Sequence, residues 1–159
     1  MAIENAREYL KKFGMENRIM EFNVSSATVE LAAQALGCEP ERIAKSISLD
    51  IMGRTILIIT AGDMKIDNHK YKETFLAKAV MLSFNEVEER IGHAVGGVCP
   101  FGIKENVEVY LDVSLKRFKT VFPACGSSNS AIEMSPEELE RTSGFKSWVD
   151  VCKQQLFTK

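Results

Sequence analysis

Residues 43–62 read IAKSISLDIMGRTILIITAG, two β-branched runs joined through Met52 and Gly53. Isoleucine and threonine are stiff at χ1 and pack well on a pleated surface, while a glycine at the joint tolerates the positive φ of a tight turn. This is the strongest hairpin signal in the chain. The rest of the sequence must supply faces that pack on it.

Residues 3–13 carry Ile3, Ala6, Leu10 and Phe13 at helical spacing, and Gly14 is a natural stop. Residues 18–24 read as a short extended run. Ser25 and Ser26 offer an N-cap for ATVELAAQALG, which ends at Gly37. Residues 67–78 look helical and polar, and AVMLSF suggests a brief strand. Ser83 and Glu86 form a capping-box pattern that opens a helix closed by Gly92. NVEVYLDV alternates as a half-buried strand, and KTVFPA and SAIEM read as further strands. Ser135, Pro136 and Glu138 then open another capped helix. Strands and helices intermix without a regular βα repeat, so the fold class is α+β with a mixed sheet. With 159 residues, no internal repeat and only four prolines, residues 1–159 read as a single domain.

Composition narrows the function classes. At 45% hydrophobic and 26% charged residues the chain has the balance of a folded globule. No apolar run reaches the roughly 18 residues that a membrane helix needs. The start, MAIENAREYLKKFG, lacks the apolar segment of a secretion signal, so a cytoplasmic location is expected. The four cysteines (Cys38, Cys99, Cys125 and Cys152) show no CxxC spacing in a chain that is not short, so neither a zinc site nor a disulfide framework is indicated, and with only two histidines a His-based metal site is not expected either. A net charge of −2 argues against a general nucleic-acid coat protein, though gripping one short nucleic-acid end needs only a few cations.

Residues 92–102 read GHAVGGVCPFG and hold four of the ten glycines. Such backbone freedom marks either an awkward turn or a surface made of main-chain amides. Exposed N–H groups in a turn can hold a carbonyl oxygen as negative charge develops on it. Neither the GxGxxG nor the Walker phosphate pattern matches. Lys45 is a second candidate: it lies among apolar and small residues, and points either out of the sheet or into a partly dry site. The small polar loop Ala124–Ser130 is a third, a hydrogen-bonding wall or a plain turn. Cys99 and His93 raise the option of a thiol hydrolase, with no third residue to orient them. A Ser46–Lys45 dyad is disfavoured because neighbours on a strand point to opposite faces. The residues alone describe an α+β domain with one amide-lined site.

Three segments in order also carry a resemblance. Val29–Ala33 through Leu36–Gly37, followed by Arg42-Ile43-Ala44-Lys45-Ser46, resembles the opening signature of the YbaK/ProX family. These are EbsC-type trans-editing aminoacyl-tRNA deacylases, similar to the editing domain inserted in bacterial prolyl-tRNA synthetases. Gly96-Gly97-Val98-Cys99-Pro100-Phe101-Gly102 resembles the family's GGxxPxG loop, and Ala124-Cys125-Gly126-Ser127 its later G-S/R loop. The likeness runs from about residue 20 to residue 142.

This resemblance implies a mixed, barrel-like sheet flanked by helices. It implies hydrolysis in trans of a mischarged aminoacyl-tRNA of the proline system, a cysteinyl or alanyl ester, with no cofactor. Its implied partners are the tRNA 3′ acceptor end and prolyl-tRNA synthetase. Lys45, Gly96 and Gly97 are then the catalytic positions, with Lys45 meeting the phosphate or ribose at the 3′ end. Ser46, Val98, Cys99, Pro100, Phe101, Gly126 and Ser127 are the implied substrate-binding positions. Lys65, Lys70 and Lys72 are available to acceptor-stem phosphates. Two departures touch specificity: Ser46 stands where many members carry threonine or asparagine, and Cys99 where serine is common. A non-catalytic tRNA- or synthetase-binding module of the same fold is the alternative.

Overall fold

Residues 2–155 are described by the computed structural model. Ala6 and Leu10, four apart and so on one helical face, are fully buried and seat helix α1 (Ala2–Lys11) on the core. Strand β1 (Met20–Glu21) and helix α2 (Val29–Leu36) follow. The N-cap of α2 is Thr28, whose hydroxyl accepts from the Leu31 N–H, rather than Ser25 or Ser26. Those two serines are held elsewhere: the Ser26 N–H donates to the Ser128 carbonyl at 2.6 Å, which fixes the chain in a loop before the helix starts. Gly37 closes α2 in the left-handed region, as read from the sequence.

The hairpin forms β2 (Ile43–Ile51) and β3 (Arg54–Ala61). They pair antiparallel from Ala44↔Ala61 to Ile51↔Arg54. Met52 and Gly53 both take positive φ, 48° and 88°, which matches the twist of a two-residue turn. Strand β4 (Met64–Ile66), helix α3 (Asn68–Phe75), helix α4 (Phe84–Ile91) and strand β5 (Glu108–Asp112) come next. The chain then adds β6 (Phe122–Pro123), β7 (Ser130–Ala131), α5 (Pro136–Thr142), β8 (Ser147–Val149) and β9 (Cys152–Gln154). Both capping boxes read from the sequence form, at Ser83 with Glu86 and at Ser135 with Glu138. The proposed AVMLSF strand reduces to a single bridge between Met81 and Leu49.

The main sheet has the order β6-β2-β3-β5-β8 and curls into a half-barrel flanked by helices. Apart from the hairpin its pairings are parallel. In β3 every residue beyond Arg54 is buried, because apolar groups cover both faces. Leu57 and Ile59 meet Leu10, Ile91 and Leu111 on one side, while Ile56 and Ile58 meet Leu49, Tyr71 and Val151 on the other. A third cluster sets Ala32 and Ala33 of α2 against Ile43 and Phe122. Among the described residues no helix is long and apolar enough to cross a membrane.

One detail of β2 positions the site. Its outer edge pairs with β6 at Ile43 and Ala44, and is bridged again at Leu49 by Met81. The Asp50 N–H and the Ser48 carbonyl bond to Val80 and Leu82 in the same stretch. Between these contacts, residues 45–47 have no partner strand on that side among the described residues.

Candidate functional site

A cavity of about 390 Å³ opens at this gap. Lys45 and Ser46 of β2 form its floor, and the loop Ser26–Thr28, the loop residues Val95, Gly96 and Val98, and the β7 residues Ser130 and Ala131 close around it. Because the cavity sits at a strand edge, it meets both faces of β2. That is how Lys45 and Ser46, neighbours that alternate across the strand, come to line one space. The remaining wall is mostly apolar, with Val29, Val87 and Ala124 beside the larger Met81, Leu82 and Phe122.

The loops are tied to one another. Ser26 bonds to Ser128 through the backbone, and the Gly126 N–H donates to the Gly97 carbonyl at 3.0 Å. The Gly97 N–H donates to the Ala94 carbonyl at 3.0 Å, so it is committed within its own turn. The N–H groups of Gly96 and Val98 have no partner among the described residues. Both residues line the cavity.

The Lys45 side chain is half-buried and makes no hydrogen bond or ion pair among the described residues. Burial pushes its pKa below the ordinary lysine value, and the carboxylates of Asp63 and Glu30 oppose that shift. Asp63 is already engaged: Arg117 grips it with two hydrogen bonds, at 3.1 and 2.6 Å. Burial drives the Asp63 carboxyl upward, yet the Arg117 bonds and charge, with help from Gln154, hold it below the usual carboxylate range. The lysine therefore feels an anion that it does not bond, and its ammonium remains available to a ligand.

Four of the ten site residues read from the sequence line the cavity: Lys45, Ser46, Gly96 and Val98. The other six stand behind its wall. Gly97 is buried against the backbone of residues 126–127. Pro100 is buried, and the fully buried Phe101 ring lies 6.3 Å from that of Tyr9. Gly126 abuts the Ala2 carbonyl of α1. The Ser127 hydroxyl braces its own turn through Asn129 and Ser130. Sequence reasoning missed Ser26, Ala27, Val29 and Val87, whose contact with the cavity depends on long-range packing. Of the three further lysines, Lys70 is paired with Asp150 at 3.1 Å, while Lys65 and Lys72 are exposed.

Cys99 does meet His93, with Sγ 3.4 Å from Nε2, but the pair cannot work as nucleophile and base. His93 Nε2 lies 2.7 Å from the Phe101 carbonyl, which can only accept, so this nitrogen carries the ring proton and has no lone pair for the thiol. Both residues are wholly buried. Burial pushes the Cys99 thiol up to about 12 and the His93 pKa down. Cys125 and Cys152 are buried too, which leaves Cys38 as the one partly exposed thiol among the four. Ellman's reagent is therefore expected to react with at most one thiol per native chain and with four after unfolding. Rapid labelling of Cys99 in the native protein would contradict this packing. No group of three His, Cys, Asp or Glu side chains is placed to hold a metal ion among the described residues.

Comparison with known proteins gives a consistent set of relatives. The family model for the aminoacyl-tRNA editing domain matches residues 24–142. The uncharacterized protein YwhH of Bacillus subtilis is 56% identical over 154 residues, covering 96% of this chain and 98% of that protein. A candidate Cys-tRNA(Pro)/Cys-tRNA(Cys) deacylase of Enterococcus faecalis, EbsC, is 26% identical over 70% of each chain. The proline–tRNA ligase of Bacillus licheniformis is 32% identical over 93 residues, a segment that is only 16% of that enzyme. Among solved structures, a candidate trans-editing enzyme for prolyl-tRNA synthetase superposes with a TM-score of 0.85 at 26% identity. That match covers 96% of this chain and 97% of the other.

Proposed function

The chain belongs to the aminoacyl-tRNA editing domain family, and from that membership we propose that it hydrolyses the ester of a mischarged aminoacyl-tRNA in trans. The observation that carries the reading is Lys45: a half-buried cation whose side chain has no partner among the described residues, at the floor of a mostly apolar cavity beside unbonded backbone N–H groups. That arrangement suits a substrate with a small acyl group at one end and a polar, anionic nucleic-acid terminus at the other.

In this reaction water adds to the ester carbonyl carbon, and the bond to the ribose oxygen breaks. The products are a free amino acid and a tRNA with its terminal hydroxyl restored. An aminoacyl ester is already activated, so positioning and stabilisation of the oxyanion supply most of what is needed. The N–H groups of Gly96 and Val98 are the donors offered to that oxyanion. Gly97, whose N–H is spent on Ala94, contributes by letting the loop approach residues 126–127. Lys45 holds the ribose or phosphate of the 3′ end as a cation, and Lys65 and Lys72 are exposed for contacts further along the acceptor stem. Similarity to the proline–tRNA ligases and to EbsC supports the proline system, with cysteinyl or alanyl esters as the first substrates to try and prolyl-tRNA synthetase as a partner.

The test is a deacylation time course on cysteinyl, alanyl, seryl and threonyl esters of proline tRNA and of their cognate tRNAs. Release of one small amino acid well above the spontaneous rate is expected. Tight tRNA binding without release of any of them would instead identify a docking module.

A further inference from the structure

Strands β4 and β9 pair antiparallel with Lys65 directly opposite Lys153. The register is fixed at both ends: the Asp67 N–H donates to the Val151 carbonyl at 2.8 Å, and the Gln155 N–H to the Asp63 carbonyl at 2.7 Å. Met64 and Ile66 pack on the core, so the alternate positions place both lysines on the exposed side. Like charges directly opposite each other destabilise a strand pair. Neither ammonium has a hydrogen bond or ion pair among the described residues. The acids that flank the ribbon are committed elsewhere, Asp63 to Arg117 and Asp150 to Lys70. Asp67 feels the Lys153 charge but bonds the N–H groups of His69 and Lys70. The ribbon also starts beside the cavity. A Cβ at Gly62, in the turn before β4, would lie 2.9 Å from Cγ1 of Val29, a residue of the cavity wall. Lys65 follows three residues later, within about 10 Å at the rise of a strand.

We propose that Lys65 and Lys153 form one phosphate clamp, which takes the tRNA 3′ strand where it leaves the cavity. This rests on the deacylase reading above and extends it beyond the matched family region, because Lys153 lies past residue 142. A lone exposed lysine is a diffuse contact, whereas here the sheet sets the spacing of two. Two ammonium groups held side by side suit an anion with several oxygens, which a phosphodiester supplies and a single carboxylate of the protein does not. A phosphate seated between them also relieves the repulsion that the free protein carries, so part of the binding gain is the removal of that repulsion. With the ester held in the cavity, the phosphates that follow it along the strand are the first anions to reach the ribbon.

The experiment measures the affinity of non-acylated proline tRNA for wild type and for the double variant Lys65→Gln/Lys153→Gln across a range of salt concentrations. The slope of log affinity against log salt should become shallower by about 1–2, with affinity at low salt down about tenfold. The double variant should unfold at the wild-type temperature or slightly above it, since both side chains are exposed and their repulsion is gone. Lys11→Gln/Lys12→Gln removes the same charge from α1 and is the control. An unchanged slope in the ribbon variant overturns the clamp, and so does an equal change in the control, which would reduce the effect to net charge. Hydrolysis gives a second readout. On the tRNA ester that wild type cleaves best, kcat/KM of the ribbon variant should fall about tenfold. On the same aminoacyl ester of adenosine, which has no phosphate, it should stay within about twofold of wild type. Equal losses on both esters overturn the proposal by placing the effect in the cavity. If wild type cleaves no ester, deacylation is lost, and the salt dependence with non-acylated tRNA still decides the clamp.

Discussion

Lys45→Ala lowers deacylation by about 100-fold, the loss expected when the cation that positions the 3′ end is removed and the ester is misplaced by about an ångström. The fold survives the change. A half-dry ammonium without a hydrogen bond or ion pair among the described residues is a cost to the native state, as its lowered pKa records. Lys45→Met keeps the aliphatic stem that packs along β2 and is expected to be as stable as wild type at neutral pH, or slightly more so. The pH dependence has a definite sign. The pKa of Lys45 lies below 10.5 in the folded chain and near 10.5 in the unfolded one, so between the two values the unfolded chain holds the extra proton. The penalty on stability is fully present below that window and fades as pH rises through it. Activity runs the other way: the cation is present below the folded pKa, and enzymatic release falls as pH rises through that value, sooner than an ordinary lysine would dictate. Full activity in Lys45→Ala, measured on the ester that wild type cleaves best, would remove Lys45 from the mechanism.

Gly97→Ala is expected to destabilise the protein by roughly 3 kcal/mol, a fall of about 6–12 °C in Tm for a chain of this size. A Cβ at this position would lie 2.6 Å from the Ser127 nitrogen, 2.7 Å from the Gly126 carbonyl carbon and 2.8 Å from the Ser127 Cα. All three are backbone atoms, so no rotamer change relieves the contact. The two loops must part, and the 3.0 Å bond from the Gly126 N–H to the Gly97 carbonyl goes with them. Gly96 and Val98 flank the substituted position and line the cavity, so catalysis should fall further than stability alone explains. Gly144→Ala is the control. Its φ is +66°, but a Cβ there would have nothing within 4 Å, so it carries only a backbone penalty of about 1 kcal/mol. Thermal unfolding of the two variants followed by circular dichroism separates the cases. Equal losses would mean that the close approach at Gly97 is not a constraint.

The glycines of residues 92–102 show how far a sequence reading reaches. Their clustering announces that something comes close to the backbone, and the sequence cannot say what. In the fold, Gly97 meets the 126–127 backbone, and Gly102 meets the Asn5 carbonyl of α1. Much of the clustering thus serves packing between segments about 30 and 100 residues apart. Cys99 is a similar case: near His93 in sequence and in space, yet sealed in the core with its histidine already bonded to a carbonyl. Strands β4, β8 and β9 escaped the reading because each is three residues long and is defined by a distant partner, Met64–Ile66 by Cys152–Gln154 for example. Three residues are too few for a period of two to declare itself.

What the sequence determined by itself is local: the hairpin with its Met52-Gly53 turn, the capped starts of α4 and α5, the glycine end of α2, and the α+β class that follows from their order. These rest on steric preferences and hydrogen bonds within a few residues, which any fold containing them must respect. The tertiary structure alone decided which edge of β2 lacks a partner, and so where the cavity opens and which side chains reach it. Lys45 and Ser46 acquire their surroundings from β6, β7, α4 and loops that lie between 17 and 86 residues away along the chain. Burial, and with it the lowered pKa of the lysine, is a property of that assembly and not of the strand that carries the residues.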